Sequence, residues 1–202
     1  TTVSDSYSLD KIKKSSVTYE ANQAVFTFLK DGVKAFDLIF NISNNDVAFQ
    51  YKIYSQEAHI SCVVKTEATG FRFPEKTKSF LSDMMTPMTG FARTAPSYES
   101  GYGADIPLEE TKAREGYVFP GLFRTENNLW VLVSETGVHS QYPASHLSNF
   151  KEGVSTVEFP NDRQNNGFGS SGAQMGLPGL TPWRTITVGE TLKPIVETTI
   201  PF

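Results

Sequence analysis

Only one cysteine, Cys62, occurs among the 202 residues, which excludes an internal disulfide and any cysteine-based zinc cluster. Long apolar runs are missing too: none reaches the roughly 18–20 residues that a helix needs to cross a bilayer. There is no signal-peptide pattern, and the sequence begins at Thr1 without a methionine, so the expectation is a processed or excised piece of something longer. Charge of one sign is not in excess. Eighteen Lys and Arg stand against 22 Asp and Glu, a net charge of −4, which argues against nucleic acid or an anionic membrane as the main partner. Helical periodicity is scarce, and only residues 76–85 leave room for two turns, ended by Pro87. No nucleophile elbow, Walker loop, dinucleotide fingerprint or His-Glu-x-x-His motif is found.

What the sequence does have is aromatic residues, 15 Phe, 8 Tyr and 2 Trp, and short strand patterns separated by turn residues. Residues 117–147 are central. Two apolar runs, 117–123 and 129–133, flank Thr-Glu-Asn-Asn, whose Asn127-Asn128 tolerates positive φ, and this predicts a β-hairpin. The second run is apolar at every position, as in a strand covered on both faces, and predicts a largely buried Trp130. Further strands are expected at 25–29 and 36–41 around Lys30-Asp31-Gly32, at 47–54 with clear period-two alternation, and at 59–65 and 66–73. The last are expected near 155–159, 184–188 and 195–199. Residues 1–16 read as a solvated leading segment. Residues 82–116 and 161–182, rich in Pro and Gly, read as long functional loops. About ten to twelve strands with little helix make an all-β sandwich or barrel.

Candidate chemistry is sparse. Glu135 stands where the second hairpin arm stops, either solvated at a sheet edge or held for use. His139 and His146 are seven apart around Tyr142-Pro143; a metal pair is one reading, two solvent-facing loop histidines the commoner one. Glu109-Glu110 would diverge in a strand and makes a poor acid/base couple. Trp183-Arg184 offers an indole face and a guanidinium suited to sugars, yet fits better as an internal anchor with Arg184 paired to a carboxylate. No catalytic pair is singled out, since the separation of two carboxylates is a three-dimensional quantity.

Several segments occur in a familiar order. They are Glu-Ala-Thr-Gly-Phe at 67–71, Lys-Thr-Lys-Ser-Phe-Leu at 76–81, Pro-Ser-Tyr-Glu at 96–99 and Gly-Tyr-Val-Phe-Pro-Gly-Leu-Phe at 116–123. Trp-Val-Leu-Val-Ser-Glu-Thr-Gly follows at 130–137, then Tyr142, Leu147 and Thr-Pro-Trp-Arg-Thr-Ile-Thr-Val-Gly at 181–189. Together they resemble the N-terminal domain of glycoside hydrolase family 97, the α-glucosidase and α-galactosidase family of Bacteroides-type oligosaccharide use, from about Tyr19 to Thr199.

The resemblance implies a single β-super-sandwich module over residues 1–202, similar to galactose mutarotase, with its first strands missing or replaced. It implies a (β/α)8 catalytic barrel as partner, an α-linked oligosaccharide as substrate of the whole enzyme, and an exported or periplasmic location. No catalytic residue is expected in this chain. Glu135 maps by position to a module glutamate that lends a ligand to an active-site calcium, with its carboxylate expected at or near the surface. Tyr98, Glu99, Tyr102, Tyr142 and His146 are the candidates for the carbohydrate side. Two other classes stay open: a free-standing carbohydrate-binding sandwich, and an aldose-epimerase-like enzyme, for which no motif is found.

Overall fold

A computed structural model describes residues 1–11, 13–84, 101–161 and 172–200. Strands dominate. Four run through the first quarter of the chain: β1 (Thr2–Ser8), β2 (Ser16–Lys30), β3 (Val33–Ile42) and β4 (Asp46–Ile53). Shorter ones follow: β5 (Ser61–Val64), β6 (Gly70–Arg72), β7 (Lys78–Ser82) and β8 (Tyr102–Pro107). Then come β9 (Gly121–Arg124), β10 (Trp130–Thr136), β11 (His146–Leu147) and β12 (Val154–Glu158). The last are β13 (Ala173–Gly176), β14 (Gly179–Leu180) and β15 (Trp183–Gly189), before a short helix α1 (Leu192–Glu197).

A ten-stranded antiparallel sheet runs in the order β1-β2-β3-β4-β15-β10-β9-β7-β8, with β14 also on β4. A three-stranded sheet, β11-β12-β6, and a two-stranded sheet, β13-β5, complete the strands described. The large and the three-stranded sheets share one core. Phe123, Val133 and Leu81 from the large sheet meet Phe71, Leu147 and Val157 from the smaller one, with Phe49, Val131 and Ile186 packed alongside. Phe123 is fully enclosed, and its ring lies 4.0 Å, centroid to centroid, from that of Phe73. Burying one such side chain contributes about 1.5–3 kcal/mol. The all-β sandwich expected from the sequence is the architecture found.

Several elements differ from the sequence reading. The leading segment is a strand: Thr2–Ser8 pairs along its whole length with β2, because backbone pairing asks little of polar side chains on an open edge. Residues 78–82 form β7 rather than helix, since their alternating burial follows a period of two. Residues 195–199 are not a strand; α1 covers 192–197, capped by Thr191, whose hydroxyl accepts from the Lys193 N–H. The first hairpin arm is shorter than expected. A cis bond at Phe119-Pro120 precedes β9, which spans four residues, while Tyr117 bridges to Asp83 and Leu147. Asn128 takes the positive φ of 58° that its turn requires, and β9 and β10 pair as predicted. Trp130 is half-buried rather than largely buried: at the first position of β10, its ring packs on Phe80 and beneath Arg124. Strands β2 and β3 extend beyond the covered layer, leaving Phe26, Phe28 and Leu29 exposed.

Candidate functional site: a buried carboxylate–guanidinium cluster

Antiparallel register brings Glu135 of β10 opposite Arg184 of β15. Directly opposed residues point to the same face of a sheet, so the two side chains meet on the inner side without help from any loop. Gly137, at a φ of +73°, lies just past the end of β10. The chain then returns through the His139–Tyr142 bridge and brings Tyr142 and Ser145 over the pair. Glu67 arrives from the segment between β5 and β6.

Arg184 is wholly enclosed. Its Nε donates to Glu67 Oε1 at 3.0 Å and its Nη2 to Glu67 Oε2 at 2.5 Å, the two-pronged geometry that suits a planar guanidinium. Its Nη1 donates to Glu135 Oε2 and to Ser145 Oγ at 3.0 Å. Ser145 in turn holds Glu135 twice, its N–H donating to Oε1 at 2.9 Å and its hydroxyl to Oε2 at 2.7 Å. The Tyr142 hydroxyl donates to Glu67 Oε2 at 2.6 Å.

Burial acts against the charge on each member, and the partners decide the outcome. Burial pushes the Glu67 carboxyl up, but the bonds and charge of Arg184, with bonds from Tyr142 and Thr69, outweigh it and leave the group below the ordinary carboxylate range. Burial pulls the Arg184 guanidinium down, while Glu67 and then Glu135 raise it above its ordinary value. The Tyr142 hydroxyl is driven far upward by burial and by its bond to Glu67, so it stays a donor. All three keep fixed protonation states near neutral pH. Two carboxylates face one guanidinium, leaving one negative charge in excess within the cluster.

The expected placement of Glu135 is therefore corrected. It lies inside the strand end, its side chain 8% exposed and ion-paired to Arg184, rather than at the surface facing outward. The reading of Arg184 as an internal anchor holds, while Trp183 is only half-buried. Tyr142 is fully enclosed and presents no ring to a sugar. His146 is buried, not a solvent-facing loop residue, and lies 3.5 Å from Glu158. It lines a cleft of about 520 Å³ with Arg114, Glu115, Lys151 and Glu158. Burial lowers the pKa of this histidine, and the Glu158 charge opposes that only in part. His139 bonds instead to the Leu180 carbonyl, so the two histidines do not form a metal pair. Tyr102 is exposed on β8. Tyr98 and Glu99 lie outside the described residues.

Glu67 and Ser145 are the members that sequence reasoning missed. Glu67 was in view only as the first residue of a motif, and no local pattern distinguishes an acidic loop residue that meets an arginine 117 positions away.

Among the described residues no group of three or more His, Cys, Asp or Glu side chains could hold a metal ion. Calcium takes six to eight oxygens, more than the described residues bring together around Glu135. A carboxylate oxygen offers two lone-pair directions. Glu135 Oε2 accepts two bonds and Oε1 one, all beside the guanidinium of Arg184, so this enclosed carboxylate does not fit a calcium ligand.

Comparison with known proteins agrees with the fold. A family model described as "Glycosyl-hydrolase 97 N-terminal" matches residues 1–202. A crystal structure of a beta-arabinopyranosidase is 48% identical, with a TM-score of 0.94, and the match covers 100% of this chain but 32% of that one. A glycoside hydrolase family 97 enzyme from Pseudoalteromonas sp. strain K8, in complex with acarbose, is 17% identical with a TM-score of 0.75. That match covers 99% of this chain and 28% of the enzyme, and at such identity it shows the shared fold alone. A search of curated proteins found no match. A full-length family match and a close relative covering every residue lead to one conclusion: this chain belongs to the N-terminal domain family of glycoside hydrolase 97.

Proposed function

We propose that this chain is the non-catalytic N-terminal module of an exported, exo-acting, calcium-dependent glycosidase, and that it packs on a (β/α)8 barrel and completes its active site. The observation that carries this reading is the coverage. All of this chain aligns with under a third of a beta-arabinopyranosidase at 48% identity, so most of that relative lies beyond the shared module. The buried carboxylates are consistent with an accessory role. Glu67 and Glu135 are committed to Arg184, so neither is available as a general acid or nucleophile.

The name of the same relative supports a substrate class. A β-L-arabinopyranoside has the ring stereochemistry of an α-D-galactoside without the exocyclic hydroxymethyl group. The whole enzyme is therefore proposed to cleave β-arabinopyranosidic or α-galactosidic ends of oligosaccharides. Within the module, Arg184 and Ser145 hold the Glu135 carboxylate in place.

Aryl β-L-arabinopyranoside and aryl α-D-galactoside assays on the full-length protein and on the module alone test the proposal. Activity is expected only in the full-length protein, and it should fall after chelation and return with calcium. Turnover by the purified module that disappears on mutating a carboxylate within it would overturn the accessory role.

A further inference from the structure

The edge of the large sheet changes character halfway along β2. β1 pairs with residues 16–22, and the ladder closes with two bonds between Gln23 and Thr1, each N–H or amine donating to the other's carbonyl. Beyond that point residues 24–30 pair with β3 and, among the described residues, with no strand on the other side. An antiparallel ladder turns every second residue to the same neighbour. Val25 and Thr27 therefore present their N–H and C=O groups, like Gln23, to the open side.

Side chains make this edge unlike a free one. β1, the outermost strand, is polar and carries Asp5, in keeping with an edge protected against chance pairing. Residues 24–29 instead read Ala-Val-Phe-Thr-Phe-Leu. Successive side chains alternate between faces. Phe26 and Phe28 lie with their cross-strand partners Leu38 and Phe36, the Phe28 and Phe36 rings stacked at 4.5 Å, while Val25 and Leu29 lie on the opposite face. All four are exposed. A run apolar on both faces belongs to a strand covered on both faces, and an apolar edge left open is a template for aggregation.

We infer that residues 24–30 are a receiving edge for one added strand, apolar on both faces and antiparallel to β2 in line with β1, which the parent polypeptide supplies from outside residues 1–202. Main-chain bonds to Val25 and Thr27 would hold that strand, and its side chains would complete both apolar faces. Coverage points to the source: this chain matches 32% of a beta-arabinopyranosidase at 48% identity, so the greater part of that relative lies beyond the shared module. The inference rests on reading this chain as a module of such an enzyme.

Hydrogen exchange of the full-length protein, resolved to single residues by fragmentation mass spectrometry, tests it. The Val25 and Thr27 amides should exchange about 100-fold or more slower than unpaired amides. A benzoylphenylalanine photo-crosslinker in place of Leu29, exposed at 62%, should join to a peptide from outside residues 1–202. Val25→Pro removes an N–H on the open side and spares the β3 ladder, so Thr27 should lose its protection while Phe26 keeps its own. If Val25→Pro does not fold, exchange and crosslinking in the otherwise unaltered protein decide. Fast exchange of both amides in an active full-length enzyme, or a crosslink to a peptide within residues 1–202, would overturn the inference. Protection that disappears as a dimer dilutes to monomer would give the edge to a second copy and overturn it too. A full-length protein without glycosidase activity would instead sink the module reading, whatever the edge does.

Discussion

Replacing Arg184 by Met removes the charge while retaining much of the stem that packs in the core. Two carboxylates, at 6% and 8% side-chain exposure, then lie buried without their cation. Removing one partner of a buried ion pair costs about 3–5 kcal/mol, because the other charge is left uncompensated. Total stability of an ordinary domain is only about 5–15 kcal/mol. For a domain of this size each kcal/mol shifts Tm by about 2–4 °C, so the substitution should lower Tm by roughly 6–20 °C at pH 7–8. The loss should shrink toward pH 4, where the stranded carboxylates take up protons and no longer oppose burial. A triple variant, Arg184→Met with Glu67→Gln and Glu135→Gln, removes every charge of the cluster. It should recover much of the loss, since neutral replacement of a whole buried pair is often tolerated. Thermal melts of the four proteins (wild type, Arg184→Met, the double Gln variant and the triple) between pH 4 and 8 form the cycle. A drop under about 3 °C for Arg184→Met at pH 8, well short of the Tm shift the ion-pair cost implies, would refute the reasoning, as would a triple variant no more stable than the single one.

Two further outcomes follow from the same geometry. Gly116→Ala should destabilise the domain by about 1–3 kcal/mol, because φ is +92° and the added Cβ would lie 2.3 Å from the Leu147 carbonyl; urea melts measure it, and an unchanged midpoint would contradict the close approach. Burial holds His146 below its ordinary pKa, so the folded state binds fewer protons than the unfolded one and stability should decline as pH falls below about 6.5. Titration of the imidazole by NMR should show the lowered midpoint, and His146→Gln should flatten that part of the pH–stability curve; a midpoint at or above the ordinary value would overturn it.

Strand content was legible because its causes are local. Alternation at 46–53, the Asn128 turn and the Asp31-Gly32 turn, both at positive φ, each act over a few residues. The misreadings have local causes as well. Residues 78–82 gave no decisive period in so short a window, and pairing with β8 and β9 settled them as strand. Four of the five residues 195–199 are β-branched (Ile195, Val196, Thr198 and Thr199), yet Thr191 caps a helix just upstream.

The sequence by itself determined an all-β chain with one cysteine, a modest negative charge, a central hairpin and an arginine fit for anchoring. It also put Glu135 where the second hairpin arm stops and Arg184 at the start of a later strand. Only the tertiary structure decided that they are partners, that Glu67 shares the guanidinium, and that Tyr142 and Ser145 close over them. Those contacts link residues 10 to 117 positions apart, and they depend on sheet order and register, which no local period encodes. Burial then turned an apparent surface carboxylate into part of an enclosed cluster, because an ionised group inside a fold persists only where its partners compensate the lost water.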